Sequence, residues 1–353
     1  VQPNVLGWDI GGAHIKAVLV NDQVVIQVQQ LACPLWKGIT ELSKCIDELG
    51  KNINFNDCIH AVTMTGELVD HFADRKQGVL AIIDELSNKL PSSKVFYYAG
   101  DNGFLHAQQA ISKYEKLASA NWLASAEYLA LKQPSALFID IGSTTTDIVL
   151  IDNHKVIHDG YTDKQRLIAK ELVYCGVVRT PIFAISKSAL VNGQQIPIIN
   201  EYFSNLSDVY RLTGELPAHA DLAETLDGRG KDVSSSAIRL ARMFACDAKE
   251  SELELWRDVA IQVRNAQVQL LKDVCRHHIM KKNISLTTPI IGAGVGRYLV
   301  CELAKQLGRK YIEFDNYLNY ASQGNGYTTA DCAPAASVAC LASVGIDHLG
   351  NAE

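Results

Sequence analysis

Two octapeptides of this chain are near copies of each other, Asp9-Ile-Gly-Gly-Ala-His-Ile-Lys16 and Asp140-Ile-Gly-Ser-Thr-Thr-Thr-Asp147. Apolar runs flank both: Val5 to Ile10 and Ile15 to Val20 around the first, Ala136 to Ile141 and Ile148 to Ile151 around the second. That spacing predicts strand, tight turn, strand, twice. A hairpin with Asp at its mouth and small residues at its tip brings backbone N–H groups close to an anion, because glycine lacks the Cβ that would block the approach. One such loop is a weak signal. Two in register predict a duplicated α/β domain with a phosphate chain held in the cleft between the copies.

The bulk properties narrow the partners. The 353 residues, 48% of them hydrophobic, suffice for two cores. Net charge is −6 with no basic run, which argues against a nucleic-acid partner. No apolar stretch reaches ~18 residues, so no membrane span is expected. The chain enters a strand at once, without the charged and apolar regions of a signal peptide, and a cytoplasmic protein is expected. Nine cysteines lie scattered without a Cys-x-x-Cys pair, which reads as reduced thiols rather than a zinc site.

Further elements follow from periodicity. Val24 to Leu31 and Cys58 to Met64 read as strands, Ile39 to Leu49 and Ala73 to Leu90 as helices, and Lys94 to Ala99 as a strand ending at the turn Gly100-Asp-Asn-Gly103. Ser119 to Trp122 opens an Ala-rich helix, and Pro134 closes a first domain. The second domain spans 135–332. It holds a polar helix from about Asp163 to Gly176, a mainly helical insertion at about 200–252, and a glycine turn, Gly292, Gly294 and Gly296, after a strand. A Pro-initiated helix at 333–347 is expected to return to the first domain.

Two glycine loops followed by a Gly-x-Gly-x-Gly turn, in that order, resemble the actin-like ATPase and sugar-kinase superfamily over essentially the whole chain. The resemblance implies an α/β fold of two ribonuclease-H-like domains with a central cleft. Met64-Thr-Gly-Glu67, Ser119-Ala-Asn-Trp122, Arg179-Thr-Pro181, Asp208-Val-Tyr-Arg211, Asp227-Gly228 and Ala241-Arg242 narrow it to the hydantoinase/oxoprolinase-related group. Within that group they are similar to the branch linked to one-carbon transfer on tetrahydromethanopterin. Archaeal members of the branch join an aminomethylfuran-methyl diphosphate to the phenol of a tyramine derivative and release diphosphate. The resemblance therefore implies a transferase of methanofuran-type coenzyme biosynthesis. An ATP-dependent small-molecule kinase or a hydantoinase/oxoprolinase-like hydrolase is the alternative. Ala13 stands where superfamily kinases carry Ser or Thr, so the first loop lacks a hydroxyl for phosphate. This speaks against ATP phosphoryl transfer and leaves ATP binding open.

If the resemblance holds, the phosphate grip comprises Gly11, Gly12, Ala13, His14 and Lys16, then Gly142, Ser143, Thr144 and Thr145, then Gly292, Gly294 and Gly296. Mg²⁺ prefers carboxylate oxygens and retained waters, which selects Asp9, Asp140 and Asp147 as ligands or their anchors. A phenol of pKa about 10 needs a base at neutral pH. Asp101 is the first choice and Asp208 the second, with Asp9 and Asp147 as further catalytic groups. Trp122, Tyr202 and Tyr210 could face a cation-like furan, and Arg211 and Arg242 could hold a carboxylate. The partners implied are the diphosphate and a phenolic amine or amino acid; assembly is left open, with a homodimer as the form entertained. Blander readings stand beside these. Trp122 fits a core equally well, Arg211, Arg239 and Arg242 fit surface salt bridges, His277-His278 reads as a surface face, and Cys175 reads as a buried thiol.

Overall fold

The apolar runs become strands wherever both of their faces can be covered. In the computed structural model, which describes residues 3–321 and 326–349 (backbone alone for 346–349), the chain forms two compact units. The first comprises Val1–Ser135, Val149–Arg166 and Phe314–Glu353, the second Ala136–Ile148 and Leu167–Glu313.

Strands Asn4–Ile10 (β1), His14–Asn21 (β2), Val24–Ala32 (β3), Cys58–Met64 (β4), Val95–Tyr98 (β5) and Phe104–Leu105 (β6) build the first sheet. β1 is central, antiparallel to β2 and parallel to β4, and six of its seven residues are buried. A parallel strand inside a sheet is covered on both faces, and its sequence reads as a nearly continuous apolar run. Leu6, Trp8 and Ile10 pack with Leu42, Ile46, Val79 and Ile83 of the helices Thr40–Gly50 and Arg75–Lys89. The opposite face carries the C-terminal helix Ala333–Leu349, which lies along β1, β2 and β4. Its approach is close: a Cβ built on Gly7 would stand 2.0 Å from the carbonyl oxygen of Ala335.

The second sheet is made from Ala136–Ile141 (β7), Thr146–Asp152 (β8), Leu172–Val173 (β10), Ile290–Ala293 (β13) and Tyr311–Glu313 (β14), in the order β10-β8-β7-β13-β14, with Lys155–Ile157 (β9) beside β8. Ser188–Val191 (β11) and Gln194–Pro197 (β12) form a separate hairpin. Asn319–Tyr320 (β15) joins the first sheet beside β3, giving the order β15-β3-β2-β1-β4-β5-β6. Both sheets set an antiparallel hairpin against a parallel strand, so the expected α/β class with two ribonuclease-H-like units is the architecture present. Among the described residues no helix is long and apolar enough to cross a membrane.

Several boundaries differ from expectation. A cut at 134/135 separates 149–166 from the first unit, yet that segment lies along the helix Asn121–Lys132, with the His158 and Trp122 rings 5.2 Å apart. The residues from Phe314 onward also belong with the first unit. The helix expected over Asp163–Gly176 stops at Ala169, because Lys170 is left-handed (φ 61°) and β10 follows. The insertion contains two short α-helices, Leu206–Leu212 and Val233–Arg242, joined by irregular chain, and a single 3-10 turn at Glu250–Glu252. Most of the helical mass lies instead in the 29-residue helix Leu253–Lys281, whose Trp256, Val259, Val263, Leu271 and Cys275 enter the second core.

Gly7→Ala drives a methyl into backbone that cannot yield. Such overpacking costs about 1–3 kcal/mol, so the variant is expected to melt several degrees below the parent in a calorimetric scan.

Candidate functional site

The two glycine loops have the same internal wiring. In the first, the Gly11 N–H donates to His14 O at 3.0 Å, and the carbonyls of Gly12 and Ala13 accept from Leu35 (3.1 Å) and Cys33 (2.8 Å). In the second, the Gly142 N–H donates to Thr145 O at 2.9 Å. The Gly142 carbonyl accepts from Val177 (3.1 Å), and that of Ser143 from Val178 (3.1 Å) and Arg179 (2.9 Å). Each loop is also tied to the next parallel strand, through Thr65 N–H to Ile10 O (2.9 Å) and Gly296 N–H to Ile141 O (2.8 Å). With the carbonyls committed inward, the amides of Gly12, Ala13, Ser143 and Thr144 donate to no acceptor among the described residues. Oriented amides of this kind form an anion-binding nest. Ser143, Thr144 and Thr145 add hydroxyls and are partly exposed, whereas His14 is buried rather than solvated at a hairpin tip.

In the first unit Asp9 is buried and stands directly across the β1–β2 ladder from Lys16, and across from Thr63 on β4. Opposite residues of an antiparallel pair share a face, so the carboxylate and the ammonium are neighbours. Gly7, two residues earlier on the same face, is covered by the C-terminal helix. At the entrance to that helix, burial raises the buried Cys332 thiol, and the charges of Lys16, Asp331, Asp9 and Asp315 surround it. Asp331 accepts the Thr328 N–H at 2.9 Å, and Asp315 accepts from Tyr320 Oη and Ala330 N–H, both at 2.7 Å. The sequence reading missed both acids. Their only signal is the run Thr328-Thr-Ala-Asp331 ahead of a Pro-initiated helix.

In the second unit the glycine turn plays a different part from the one expected. Gly292, Gly294 and Gly296 are all buried. Gly294 is left-handed (φ 82°), and a Cβ there would lie 2.2 Å from Ile141 O and 2.3 Å from Asp140 Oδ1. Side chains on Gly292 and Gly296 would strike Tyr311 and Ile141. These glycines let β13 and the following turn close on β7, so protein packing rather than phosphate contact accounts for them. Asp140 and Asp147 are both partly exposed.

The expected substrate-binding group is closed by its own charges. Arg239, 1% exposed, donates to Asp208 Oδ1 from Nε (2.9 Å) and Nη2 (2.7 Å) and pairs with Asp227 at 3.0 Å. Asp208 also accepts from Arg211 (3.2 Å) and Ser204 (2.8 Å), so it has no oxygen ready to take a phenol proton. Arg211 is held by Asp221 as well, and Arg242 by Asp227 at 3.2 Å. The cavity among Arg179, Asn205, Asp208, Arg211, Asp221 and Arg239 is about 20 Å³, room for a water rather than a ligand. Tyr210 is fully buried and donates to Gln267 at 2.5 Å, which removes it from substrate contact. Trp122 is core, with the Arg166 guanidinium stacked 4.0 Å over its ring. Tyr202 is exposed and donates to Arg179 O at 2.9 Å. His278 is buried against Lys170 O rather than on a surface face. Burial pushes the Cys175 thiol up to about 12. Asp101 is exposed on the turn Gly100–Asn102, beside Tyr98, Tyr161 and Glu127.

The hydantoinase/oxoprolinase family pattern matches residues 59–336. The chain belongs to the hydantoinase/oxoprolinase family. A family relative from Methanocaldococcus jannaschii, named (4-{4-[2-(gamma-L-glutamylamino)ethyl]phenoxymethyl}furan-2-yl)methanamine synthase, is 31% identical over 270 residues, covering 76% of this chain and 80% of the relative. The Methanococcus vannielii protein of the same name is 26% identical over 174 residues, 48% of this chain and 77% of that one. In fold the chain is similar to nucleotide-free acetone carboxylase, with TM-score 0.57 at 12% identity over 97% of this chain and 70% of that one.

Among the described residues of this hydantoinase/oxoprolinase family member, no group of three or more His, Cys, Asp or Glu could hold a metal. The expected trio Asp9, Asp140 and Asp147 is therefore not a protein-only cage. Mg²⁺ rarely needs one, since it is commonly bound by one or two carboxylates, waters and substrate phosphates.

The Asp208 network yields a graded expectation for stability. Arg239→Ala strands a buried carboxylate and should cost about 3–5 kcal/mol. Arg242→Ala, whose side chain is 38% exposed, should cost less than about 1 kcal/mol. Urea unfolding of the two variants measures the difference.

Proposed function

We propose that the chain is a transferase of methanofuran-type coenzyme biosynthesis that joins an aminomethylfuran-methyl diphosphate to the phenol of a tyramine derivative. The observation that carries the reading is the pair of loops with carbonyls turned inward and tip amides free to meet an anion. The relatives' name supports the rest: it describes a phenoxymethyl-furan ether with a γ-glutamylated aminoethyl arm, the bond such a transfer would form. A γ-glutamylated tyramine is accordingly the acceptor proposed.

In this reading the phenolic oxygen forms a bond to the furfuryl carbon, the bond from that carbon to diphosphate breaks, and the phenol proton passes to a base. The leaving group departs with its charge spread over phosphate oxygens. Each unit by itself offers donors suited to such charge: in the first the amides of Gly12 and Ala13 and the Lys16 ammonium, in the second the amides of Ser143 and Thr144 and the hydroxyls of Ser143, Thr144 and Thr145. Bound Mg²⁺ would supply Lewis-acid neutralisation of the same charge, with Asp140 and Asp147 of the second unit as the carboxylates to hold it. Asp101 is the proposed base, since an exposed carboxylate can reach a phenol and the heavily bonded Asp208 cannot. The furan oxygen can stabilise a cation-like carbon, which suits a loose transition state.

The test is product analysis. With furan diphosphate, tyramine or its γ-glutamyl derivative, and Mg²⁺, the chain should release inorganic diphosphate in an acceptor-dependent way, and chelation should stop it. Substrate-dependent ADP formation from ATP, without diphosphate, would replace this reading with a kinase or an ATP-driven hydrolase. Asp147→Asn should lower kcat about 10–100-fold or more while leaving the melting curve in place.

A further inference from the structure

Glu67 occupies the turn Gly66–Leu68 that closes beneath the first glycine loop. The preceding Thr65 amide holds Ile10 O, and a Cβ on Gly66 would lie 3.1 Å from that oxygen and 3.2 Å from the Gly11 carbonyl carbon. The Glu67 side chain is 0% exposed, and its Oε2 has no hydrogen-bond partner. Its Oε1 is 2.9 Å from Ser119 Oγ, and the same hydroxyl is 3.1 Å from Asp163 Oδ2. Asp163 Oδ2 in turn accepts from Arg75 Nη2 at 2.5 Å. Ser119 is held in the left-handed region, φ 53°, which few non-glycine residues adopt without support from their surroundings.

A hydroxyl has one proton to give. Two ionised carboxylates around Ser119 would leave one oxygen–oxygen contact at hydrogen-bond distance with no hydrogen in it. One of the carboxyls must therefore carry a proton. Arg75 lies against Asp163 and favours its ionised form. Glu67 has no cation within hydrogen-bond reach and no solvent, and burying an unpaired charge is costly. The proton order that satisfies every contact runs from Glu67 to Ser119 Oγ, and from the Ser119 hydroxyl to Asp163, whose charge Arg75 balances.

We infer that Glu67 is a neutral acid and a positioning residue for the first glycine loop. Protonated, it closes the chain to Ser119 and Asp163 and holds the Gly66–Leu68 turn against Ile10 and Gly11. Ionised, it faces the Asp163 carboxylate across a hydroxyl that cannot bond to both, and the turn loosens. Glu67 touches no ligand. The consequence for turnover rests on the reading that this loop grips phosphate; the proton chain does not.

The titration is placed by burial, which pushes the Glu67 carboxyl from 4.5 up to about 7 against its own backbone N–H, Ser119 and Arg75, with Asp163 acting in the same direction as burial. A carboxyl raised in the folded state keeps a proton that the unfolded chain releases. Its contribution is thus complete below pH 4.5 and is lost as pH rises through about 7. Infrared difference spectra of the full chain should show a protonated-carboxyl band that fades across that range, is absent from Glu67→Gln, and moves in Ser119→Ala. Hydrogen exchange of the loop-1 peptide, residues 9–14, should be about tenfold faster in the parent than in Glu67→Gln at pH 8.5, and equal at pH 5.5. A parent without the band at pH 5.5, or loop exchange that matches Glu67→Gln at every pH, overturns the inference. For turnover, Glu67→Gln should retain at pH 8.5 the activity that the parent loses, with Glu67→Ala low throughout. If the infrared and exchange results hold while no diphosphate is released at any pH, the transferase reading fails and the proton chain stands.

Discussion

The inward commitment of four loop carbonyls organises much of the rest. Gly12 and Ala13 give theirs to Leu35 and Cys33, and Gly142 and Ser143 give theirs to Val177, Val178 and Arg179. A peptide group that turns its oxygen one way turns the N–H of the following residue the other, so holding these carbonyls from behind presents the amides of Ala13, Ser143 and Thr144 in front. The strand that follows each loop must then come close enough to supply a further bond, to Ile10 in one unit and Ile141 in the other. Small residues meet that demand at Gly66, where a Cβ would strike the Leu35 side chain and press on Ile10 O and the Gly11 carbonyl carbon, and at Gly294, where it would collide with Ile141 O. One requirement, amides fixed without a ligand present, thus accounts for the hairpins, the strands beside them and the glycines beneath them.

Charge is distributed by a related economy. In the second unit Asp208, Arg239, Asp227 and Arg211 satisfy one another and fill the space in which the sequence suggests a ligand. Such a group stabilises little relative to apolar packing, yet losing one member leaves the others costly. It holds irregular chain between two short helices in one arrangement. In the first unit the charges lie close to the loop, with Lys16 opposite Asp9, and Asp331 and Asp315 close by at the start of the C-terminal helix.

The hairpins, the buried strands and the amphipathic helices of the first unit were legible in the sequence because their periodicity is local. Thr40–Gly50 and Cys58–Met64 fall within a residue of their expected bounds. Of the long helix Leu253–Lys281 only the helical stretch around His277-His278 was read, because its buried stripe is interrupted by Gln267, which is apolar in position but bonds Tyr210 and Gly176 O. For the site, the two loops could be read from the repeat itself. Tyr210 and Asp208 were given to a substrate, and Trp122 and Arg211 left between ligand and protein, for a common reason: a residue type fit for a ligand is equally fit for a protein partner, and Arg166, Gln267 and Arg239 are distant in sequence. Asp331 and Asp315 escaped notice because nothing local links them to Lys16.

The helix Ala333–Leu349 completes the face of β1 on which Gly7 and Asp9 lie, although β1 is the first strand of the chain. Domains generally fold as units, N-terminal first, during synthesis. Here the first sheet emerges early but lacks its cover until some three hundred further residues have followed it. A ribosome-bound chain would thus finish the second core before the first, leaving the strand that bears Asp9 exposed to chaperones in the interval.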